Sequence, residues 1–129
     1  MPLRFPKRER LCSKKDIDFL FAEGRNVRSG SVSLKWIVRG TSGLESQRQV
    51  LIVVPKRNVR KAVDRNRIKR QIREIYRTNR NLWDAYHAIS NKTLLLGVIY
   101  LGGADAIFEQ VLQNYLEAHK KFLKHSLDQ

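Results

Sequence analysis

The first regular pattern along the chain is that of a short helix. Ser13 followed three residues later by Asp16 is typical of a helix N-terminus, because the serine oxygen can accept a hydrogen bond from the first turn. Gly24 then interrupts the pattern, as glycine commonly does just beyond a helix. The sequence therefore predicts a helix from Lys14 to Glu23. The apolar positions that share one of its faces are Ile17, Leu20 and Phe21.

Alternating apolar and polar residues follow between Ser31 and Arg39, which is the period of a strand with one face on the core. The apolar positions of this strand are Val32, Leu34, Trp36 and Val38. A turn-rich stretch at 40–43 separates it from a β-branched, apolar run at 49–54. We expect the two strands to form an antiparallel hairpin that ends at Pro55.

Two further apolar segments complete the pattern. Residues 93–101 are almost continuously apolar, which indicates a strand covered on both faces, although a buried helix would show the same pattern. We predict a central strand here. Gly102 and Gly103 end this strand, and apolar residues then recur at the spacing of a last helix. They are Ala104, Ile107, Phe108, Val111, Leu112, Tyr115, Leu116, Phe122 and Leu123.

Size and charge narrow the class of protein. A chain of 129 residues, 42% of them hydrophobic, fits a single domain over 1–129 with one modest core. Residues 1–12 are basic and contain Pro2 and Pro6, which favours an extended N-terminal arm. The formal net charge of +14 indicates an acidic partner, because a polyanion would relieve the self-repulsion of the folded chain.

Nucleic acid and an anionic membrane surface both fit this charge. No stretch approaches the roughly 18 consecutive apolar residues of a membrane span, and the N-terminus lacks the apolar core of a signal peptide. The single cysteine, Cys12, can form no internal disulfide, and we expect a partly buried or inert thiol. Together these features favour a cytoplasmic protein that does not enter a membrane.

The positive charge is concentrated between Lys56 and Arg80. This segment contains eleven Lys and Arg residues against two acids, Asp64 and Glu74. Arranged as a helix, it collects its apolar residues in one stripe, Ile68, Ile72, Ile75 and Tyr76. The adjacent face carries Arg65, Asn66, Lys69, Arg70, Arg73, Arg77 and Arg80. The pattern predicts a helix that buries one face and presents a cationic face beside it.

A cationic helical face of this kind favours RNA as the partner. Arginine can hold a phosphate with two hydrogen bonds, and the amide of Asn66 can bond a base edge or a ribose hydroxyl. A merely solvated helix face usually interleaves Glu with Lys at four-residue spacing, which this segment does not. Duplex DNA and a nuclear-localisation signal are the alternatives. No helix-turn-helix, zinc-finger spacing or heptad repeat supports DNA, and the buried stripe argues against a localisation signal.

No catalytic centre is visible in the sequence. His87, His119 and His125 are scattered, and we expect them at the surface. Asp16 and Asp64 are explained by helix N-termini. No nucleophile with a neighbouring base and no Gly-rich phosphate loop is present. The residues by themselves therefore indicate a binding protein.

The basic segment resembles a motif of one protein family. Together with Phe5-Pro6-Lys7, the first helix and the strand at 49–54, it resembles the protein subunit of bacterial ribonuclease P, and the resemblance covers roughly residues 5–122. Arg65-Asn66-Arg67 corresponds to the RNR motif of that family. The other matching residues of the segment are Lys56, Arg57, Ala62, Ile68, Lys69, Arg70 and Arg73.

The resemblance implies an α+β fold, an α-β sandwich with three helices and a mixed sheet of about four strands in the order α-β-β-(β)-α-β-α. It also implies a left-handed crossover between two parallel strands, where general topology rules favour a right-handed one. In that family the catalyst is an RNA subunit, which uses Mg²⁺ to hydrolyse a phosphodiester bond and release the 5′ leader of precursor tRNA. The protein subunit contributes no catalytic side chain and no metal ligand.

Two RNA-contact surfaces are implied by the same resemblance. The surface that faces the catalytic RNA contains Lys56, Arg57, Arg60, Lys61, Arg65, Asn66, Arg67, Lys69, Arg70 and Arg73. A cleft between the first helix and the sheet would hold the single-stranded leader, where aromatic rings can stack on any base. Its expected residues are Ile17, Phe21, Lys35 and Trp36, with core packing as the alternative for Phe21 and Trp36. The sequence also leaves open a noncatalytic, ribosomal-protein-like RNA-binding module.

Overall fold

The structure, a computed structural model, describes residues 9–39, 48–89 and 92–127. These residues form four helices and four strands. In chain order they are α1 (Lys14–Glu23), β1 (Arg25–Ser29), β2 (Val32–Arg39), β3 (Arg48–Val53), α2 (Ala62–Thr78), α3 (Arg80–Ile89), β4 (Thr93–Tyr100) and α4 (Phe108–Leu127). The predicted turn at 40–43 and the first eight residues of the basic arm lie outside the described residues.

Helix α1 has the bounds that the sequence predicts. The Ser13 hydroxyl accepts a hydrogen bond from the Asp16 amide at 3.4 Å, and the Gly24 amide donates to the Leu20 carbonyl at 2.8 Å. Leu20 is fully buried. Its side chain lies 3.2 Å from the position that a Cβ would occupy on Gly97 of β4. The helix therefore approaches the sheet closely at a residue that has no side chain.

Strand β4 lies in the interior of a mixed sheet with the strand order β1-β2-β4-β3. It pairs antiparallel with β2 and parallel with β3. The prediction of a central strand is confirmed, but the predicted hairpin between 31–39 and 49–54 is wrong, because β4 lies between those two strands. All but one of its eight residues are buried. A strand so apolar is stabilised by neighbours on both edges and by layers on both faces.

The hairpin of this sheet is formed instead by β1 and β2. Ser29 pairs with Val32, so Gly30 and Ser31 make a two-residue turn, in which Gly30 has a φ of 56°. Glycine adopts this left-handed conformation without strain, and such turns suit two-residue hairpins. Hydrophobic periodicity does not predict strand β1, because Val27 is its one apolar residue. The Gly-Ser pair is the sequence signal that could have located it.

Helices cover both faces of the sheet. The main core lies under α2, α3 and α4, where the Trp36 ring meets Phe122 edge-on at 4.9 Å between centroids. On the opposite face, a smaller cluster under α1 contains Leu11, Leu20 and Leu95. The predicted α+β fold with a mixed four-stranded sheet is therefore confirmed. The implied count of three helices is wrong for the described part of the chain, which has four.

The additional helix, α3, begins at the last residue of the basic segment 56–80 and continues through a stretch in which we predict no element from the sequence. Helix α2 ends at Thr78, and the side-chain amide of Asn79 donates to the Ile75 carbonyl at 2.9 Å, which satisfies one of the last carbonyls of the helix. Helix α3 then begins at Arg80. Together α2 and α3 connect the parallel strands β3 and β4. The handedness of this crossover stays a prediction.

Two of the three histidines belong to the core, so the expectation of surface histidines is wrong for them. His119 is 4% exposed, and its ring lies edge-on to Trp83 with centroids 4.7 Å apart. His87 is also buried, whereas His125 is exposed. Burial lowers the pKa of both His87 and His119 below the ordinary histidine value, which favours the neutral rings at pH 7.

Truncating the apolar stripe of α2 should cost much more stability than truncating its outer face. We expect Ile72→Ala to lower the free energy of unfolding by about 2–5 kcal/mol, because it leaves a cavity in the core. The control is Val63→Ala on the same helix, where the side chain is 69% exposed. We expect that change to stay within about 0.5 kcal/mol. Urea unfolding followed by circular dichroism measures both, and equal losses would contradict the orientation of α2.

Candidate nucleic-acid interface

Helix α2 keeps its apolar and charged residues on different sides. Ile68, Ile72 and Ile75 are each 0% exposed and pack in the main core, as the predicted stripe requires. Arg70 and Arg73 are exposed on the outer side. Within the described residues, neither makes a hydrogen bond or a salt bridge. Their guanidinium groups are therefore available to an external partner.

A turn at 55–61 adds four cations directly before α2. The amides of Asn58 and Val59 both donate to the Pro55 carbonyl at 3.1 Å. The Asn58 side-chain amide donates to the Leu101 carbonyl, also at 3.1 Å, which ties the turn to the end of β4. The exposed cations of the turn are Lys56, Arg57, Arg60 and Lys61. We call this turn and the outer side of α2 the cationic surface.

The structure brings all ten residues of the predicted RNA surface onto this turn and helix. Seven are exposed, namely Lys56, Arg57, Arg60, Lys61, Asn66, Arg70 and Arg73, and three are half-buried, namely Arg65, Arg67 and Lys69. Two further arginines that periodicity places on the same face pair with carboxylates instead. Arg77 pairs with Glu74, and Arg80 pairs with Glu9 at 2.9 Å.

Arg65 differs from the exposed arginines in both orientation and contacts. Its Nη1 donates to the Val59 carbonyl at 3.0 Å and to the Arg60 carbonyl at 2.6 Å. It precedes Ile68 by three residues and Ile72 by seven, so it lies on the core side of α2 rather than on the outer side. The prediction that groups Arg65 with the outer cations is therefore wrong about its orientation.

Arg67 is held by the loop that precedes α4. Its Nη2 donates to the Ala104 carbonyl at 2.5 Å and lies 3.9 Å from an Asp64 carboxylate oxygen. Asp64 is in the first turn of α2, where a negative charge is favoured by the helix dipole, as expected. The central arginine pair of the motif thus has intramolecular partners, which periodicity alone does not reveal.

An open groove of about 210 Å³ lies between α2 and the segment that precedes α1. This segment runs beside β3: Arg10 forms a parallel bridge to Val50, and the Leu11 amide donates to the Val50 carbonyl at 2.9 Å. The C-terminal part of the basic arm is therefore packed on the sheet. The groove is lined by residues that include Arg10, Cys12, Leu51, Lys69 and Arg73. Cys12 is exposed, so of the two expectations a partly buried thiol is wrong, and an inert thiol stays a prediction.

Three of the four residues predicted for a leader cleft lie at α1 and the face of β2 that it covers. Phe21 is 39% exposed, and Lys35 Nζ lies 5.5 Å from the centre of its ring. Ile17 is half-buried against the small cluster under α1. Trp36 is 3% exposed and packs on the opposite face of the sheet, because neighbouring residues of a strand point to opposite faces. Its assignment to the cleft is wrong, and core packing is confirmed.

A buried polar network fixes the segment before α1 against α2 and α3. The Tyr76 hydroxyl donates to Glu9 at 2.7 Å and accepts from Arg48 Nε at 2.7 Å. Arg48 also lies 3.3 Å from Glu9 and 3.2 Å from Asp84. Burial, as the largest cause, raises the pKa of Tyr76, which keeps the hydroxyl proton available for Glu9. Arg80 completes the network through Glu9.

Two further properties concern the described residues as a whole. No helix among them is long and apolar enough to cross a membrane. No group of three or more His, Cys, Asp and Glu side chains within 9–39, 48–89 and 92–127 could hold a metal ion. The polar chemistry of this part of the chain is dominated by cations that face solvent.

These features define a small α+β protein whose crossover helix presents a cationic surface suited to a polyanion. The chain belongs to the Ribonuclease P family, whose model matches residues 5–123. This match includes the cationic surface, the groove and α1.

Related proteins agree with this assignment. The Ribonuclease P protein component of Chlorobaculum tepidum is 33% identical over 110 residues, which are 79% of this chain and 70% of the relative. The component of Dictyoglomus thermophilum is 45% identical over 76 residues, and the match spans 59% of this chain and 59% of that relative's length.

Solved structures of the family share the fold. The RNase P protein from Thermotoga maritima has a TM-score of 0.65 and 25% identity, over 88% of this chain and 96% of the other. The RNase P protein of Staphylococcus aureus has a TM-score of 0.65 and 20% identity, over 87% and 93%. At 20% identity the second likeness concerns the fold alone.

Breaking the buried network should destabilise the protein, whereas breaking an exposed ion pair should not. We expect Tyr76→Phe to lower the free energy of unfolding by about 1–3 kcal/mol, because buried partners lose two hydrogen bonds. The control is Arg77→Ala, which removes the exposed pair with Glu74. Its midpoint in thermal or urea unfolding should stay near that of the unmodified protein. A loss as large as that of Tyr76→Phe would contradict the difference in burial.

Proposed function

We propose that this chain is the protein subunit of a ribonuclease P ribonucleoprotein. In this proposal it binds a catalytic RNA and the 5′ leader of precursor tRNA, and so supports magnesium-dependent endonucleolytic 5′ maturation of tRNA in the cytoplasm. The holoenzyme is the endoribonuclease, and its RNA subunit carries out the hydrolysis. The single observation that carries the proposal is the cationic surface on α2 in a chain of the Ribonuclease P family.

The contact with the catalytic RNA is assigned to the cationic surface. Eight of its nine cations are exposed or half-buried without a carboxylate partner among the described residues, so they repel one another in the free protein. RNA phosphates would remove that repulsion and release counterions. Arg70 and Arg73 are three residues apart on the same side of α2, and each can bond a phosphate with its planar fork.

Asn66 gives this surface a capacity that charge alone does not provide. Its amide is exposed beside the arginines and offers two donors and one acceptor. A base edge or a ribose 2′-hydroxyl can use both kinds of group, whereas a phosphate can use only the donors. We assign Asn66 to the part of the interface that distinguishes an RNA structure from a generic polyanion.

The leader contact is assigned to the cleft between α1 and the sheet, on the side of α1 where Phe21 meets Lys35 of β2. Phe21 presents an exposed part of its ring, and Lys35 places a cation over that ring. An aromatic face with a neighbouring cation suits a single strand, because every base can stack and every nucleotide carries a phosphate. Ile17 supports this side of α1 through its packing on the small cluster.

In this proposal Mg²⁺ is bound by the RNA. The ion takes oxygen ligands, usually carboxylates together with phosphates and water. The described side chains do not fit a site held by the protein, because the cationic surface contains Asp64 among many cations and Asp64 faces Arg67. The protein side chains are assigned to binding and orientation of RNA, and none is assigned to catalysis.

Reconstitution tests the proposed function. A bacterial ribonuclease P RNA and a precursor tRNA are incubated at a Mg²⁺ concentration that limits the RNA alone, with and without this protein. We expect the protein alone to cleave nothing and the complex to release the 5′ leader at the lower Mg²⁺ concentration. No stimulation by the protein would contradict the proposal. Co-purification of the chain with ribosomal RNA would favour a ribosomal-protein-like module instead.

The salt dependence of RNA binding tests which face makes the contact. Arg70→Ala and Arg73→Ala should each weaken binding and flatten the plot of log K against log salt by about 1, because one phosphate contact is lost. Lys120→Ala is the matched control, since Lys120 is an exposed cation on α4. Filter binding between low and physiological salt measures all three. A flatter slope for Lys120→Ala, with none for the α2 variants, would move the interface to α4.

A further inference from the structure

The turn at 55–61 concentrates positive charge, so its side chains repel one another. It carries Lys56, Arg57, Arg60 and Lys61 within six residues, all exposed. Like charges so close together repel one another and favour an extended, mobile chain. Two hydrogen bonds to the Pro55 carbonyl and one from Asn58 close the turn, and the Val59 side chain is anchored in the main core. These contacts do not use the carbonyls of Val59 and Arg60, directly before α2.

Arg65 bonds both of these carbonyls. Its Nη1 donates to two consecutive carbonyls of the turn, those of Val59 at 3.0 Å and Arg60 at 2.6 Å. The guanidinium group thus satisfies backbone acceptors that would otherwise need solvent. Its position on the core side of α2, in line with Ile68 and Ile72, directs it toward the turn and away from the outer side.

Arg65 and Arg70 therefore differ although both are arginines of one basic helix. Arg70 is exposed and has no partner among the described residues, which suits a group that contacts an external phosphate. Arg65 is half-buried, and its Nη1 is already bonded to the protein. A contact made before RNA arrives cannot add to binding in the same way as a new phosphate contact. It can lower the ordering cost of the groups that do make one.

We infer that Arg65 is a positioning residue of the RNA interface, which orders the cationic turn at 55–61 so that Lys56, Arg57, Arg60 and Lys61 meet RNA phosphates as a fixed array. This inference rests on the proposed RNA-binding function and deepens it. It divides the cationic surface into residues that contact RNA and one that acts through its neighbours.

The first arm of the test uses the RNA-free protein and the variant Arg65→Lys. Lysine keeps the positive charge, but its side chain is shorter and lacks the planar guanidinium group. The hydrogen bonds to the two carbonyls should therefore be weakened. We expect hydrogen exchange of the Asn58 and Val59 amides to accelerate by about tenfold, because charged hydrogen bonds to the turn are weakened. NMR shifts should change mainly at 56–61. The matched control Arg70→Lys should leave the exchange of the turn unchanged.

The second arm measures RNA affinity in a double-mutant cycle. Arg65→Lys should weaken binding several-fold in the unmodified chain and clearly less when Arg57→Ala and Arg60→Ala are already present, because two of the four groups that it positions are gone. Arg70→Lys should have the same effect in both backgrounds. The thermal midpoint of each variant is measured in parallel. If Arg65→Lys lowers it strongly, Arg65→Met takes its place, since it keeps an apolar stem of similar length.

The outcomes separate this inference from the proposed function. Unchanged exchange of Asn58 and Val59 in Arg65→Lys would overturn the positioning role, whether or not RNA binds. Additive effects of Arg65 and the turn residues on affinity would also overturn it and would make Arg65 a direct contact. If exchange accelerates but the affinity for RNA does not depend on Arg57 and Arg60, the contact of Arg65 with the turn is supported and the proposed RNA interface is rejected.

Discussion

The parallel pairing of β3 with β4 is the constraint on which the rest of the structure depends. Parallel neighbours cannot be joined by a tight turn, so the chain must cross one face of the sheet between them. Helix α2 makes most of this crossing, and Ile68, Ile72 and Ile75 determine which of its sides meets the sheet. The outer side is then the one rich in cations. The cationic surface is in this sense a consequence of sheet topology and helical period together.

The network of Glu9, Arg48, Tyr76 and Arg80, with Asp84 at its exposed end, makes this surface part of a larger connected unit. It links the segment before α1, strand β3 and helices α2 and α3 through hydrogen bonds and ion pairs. The groove beside Lys69 and Arg73 is therefore bounded by elements that this network connects. A partner that binds there would need to order few groups, which favours affinity.

Hydrophobic periodicity is sufficient to predict α1, β2, β4, α4 and the apolar stripe of α2, because each has a clear pattern of its own. It is insufficient for strand pairing, since local pattern does not reveal that β4 separates β2 from β3. Strand β1 has one apolar residue and therefore no clear pattern of its own. Helix α3 repeats apolar residues at helical spacing, so periodicity could have located it. The burial of Trp36 agrees with the alternation of β2, whereas that of His119 depends on the Trp83 ring of α3 and follows from tertiary packing alone.

The candidate site is predictable in composition but not in the roles of its members. The ten residues of the cationic surface can be named from charge and family resemblance. The bonds of Arg65 to Val59 and Arg60, and of Arg67 to Ala104, depend on turns whose paths no periodicity describes. An exposed arginine and an arginine bonded within the protein are the same residue type. Only the surrounding structure shows whether such a residue can contact RNA or instead orders its neighbours.

The central claim is that RNA docks on the outer side of α2, and tethered hydroxyl-radical cleavage tests it most directly. An iron chelate is attached at Val63→Cys, on the outer side of α2, in a Cys12→Ser background. The control chelate is attached at Gln113→Cys, an exposed position on α4. The account predicts discrete cleavage of bound ribonuclease P RNA from position 63 and little from position 113. Strong cleavage from 113, with none from 63, would contradict it.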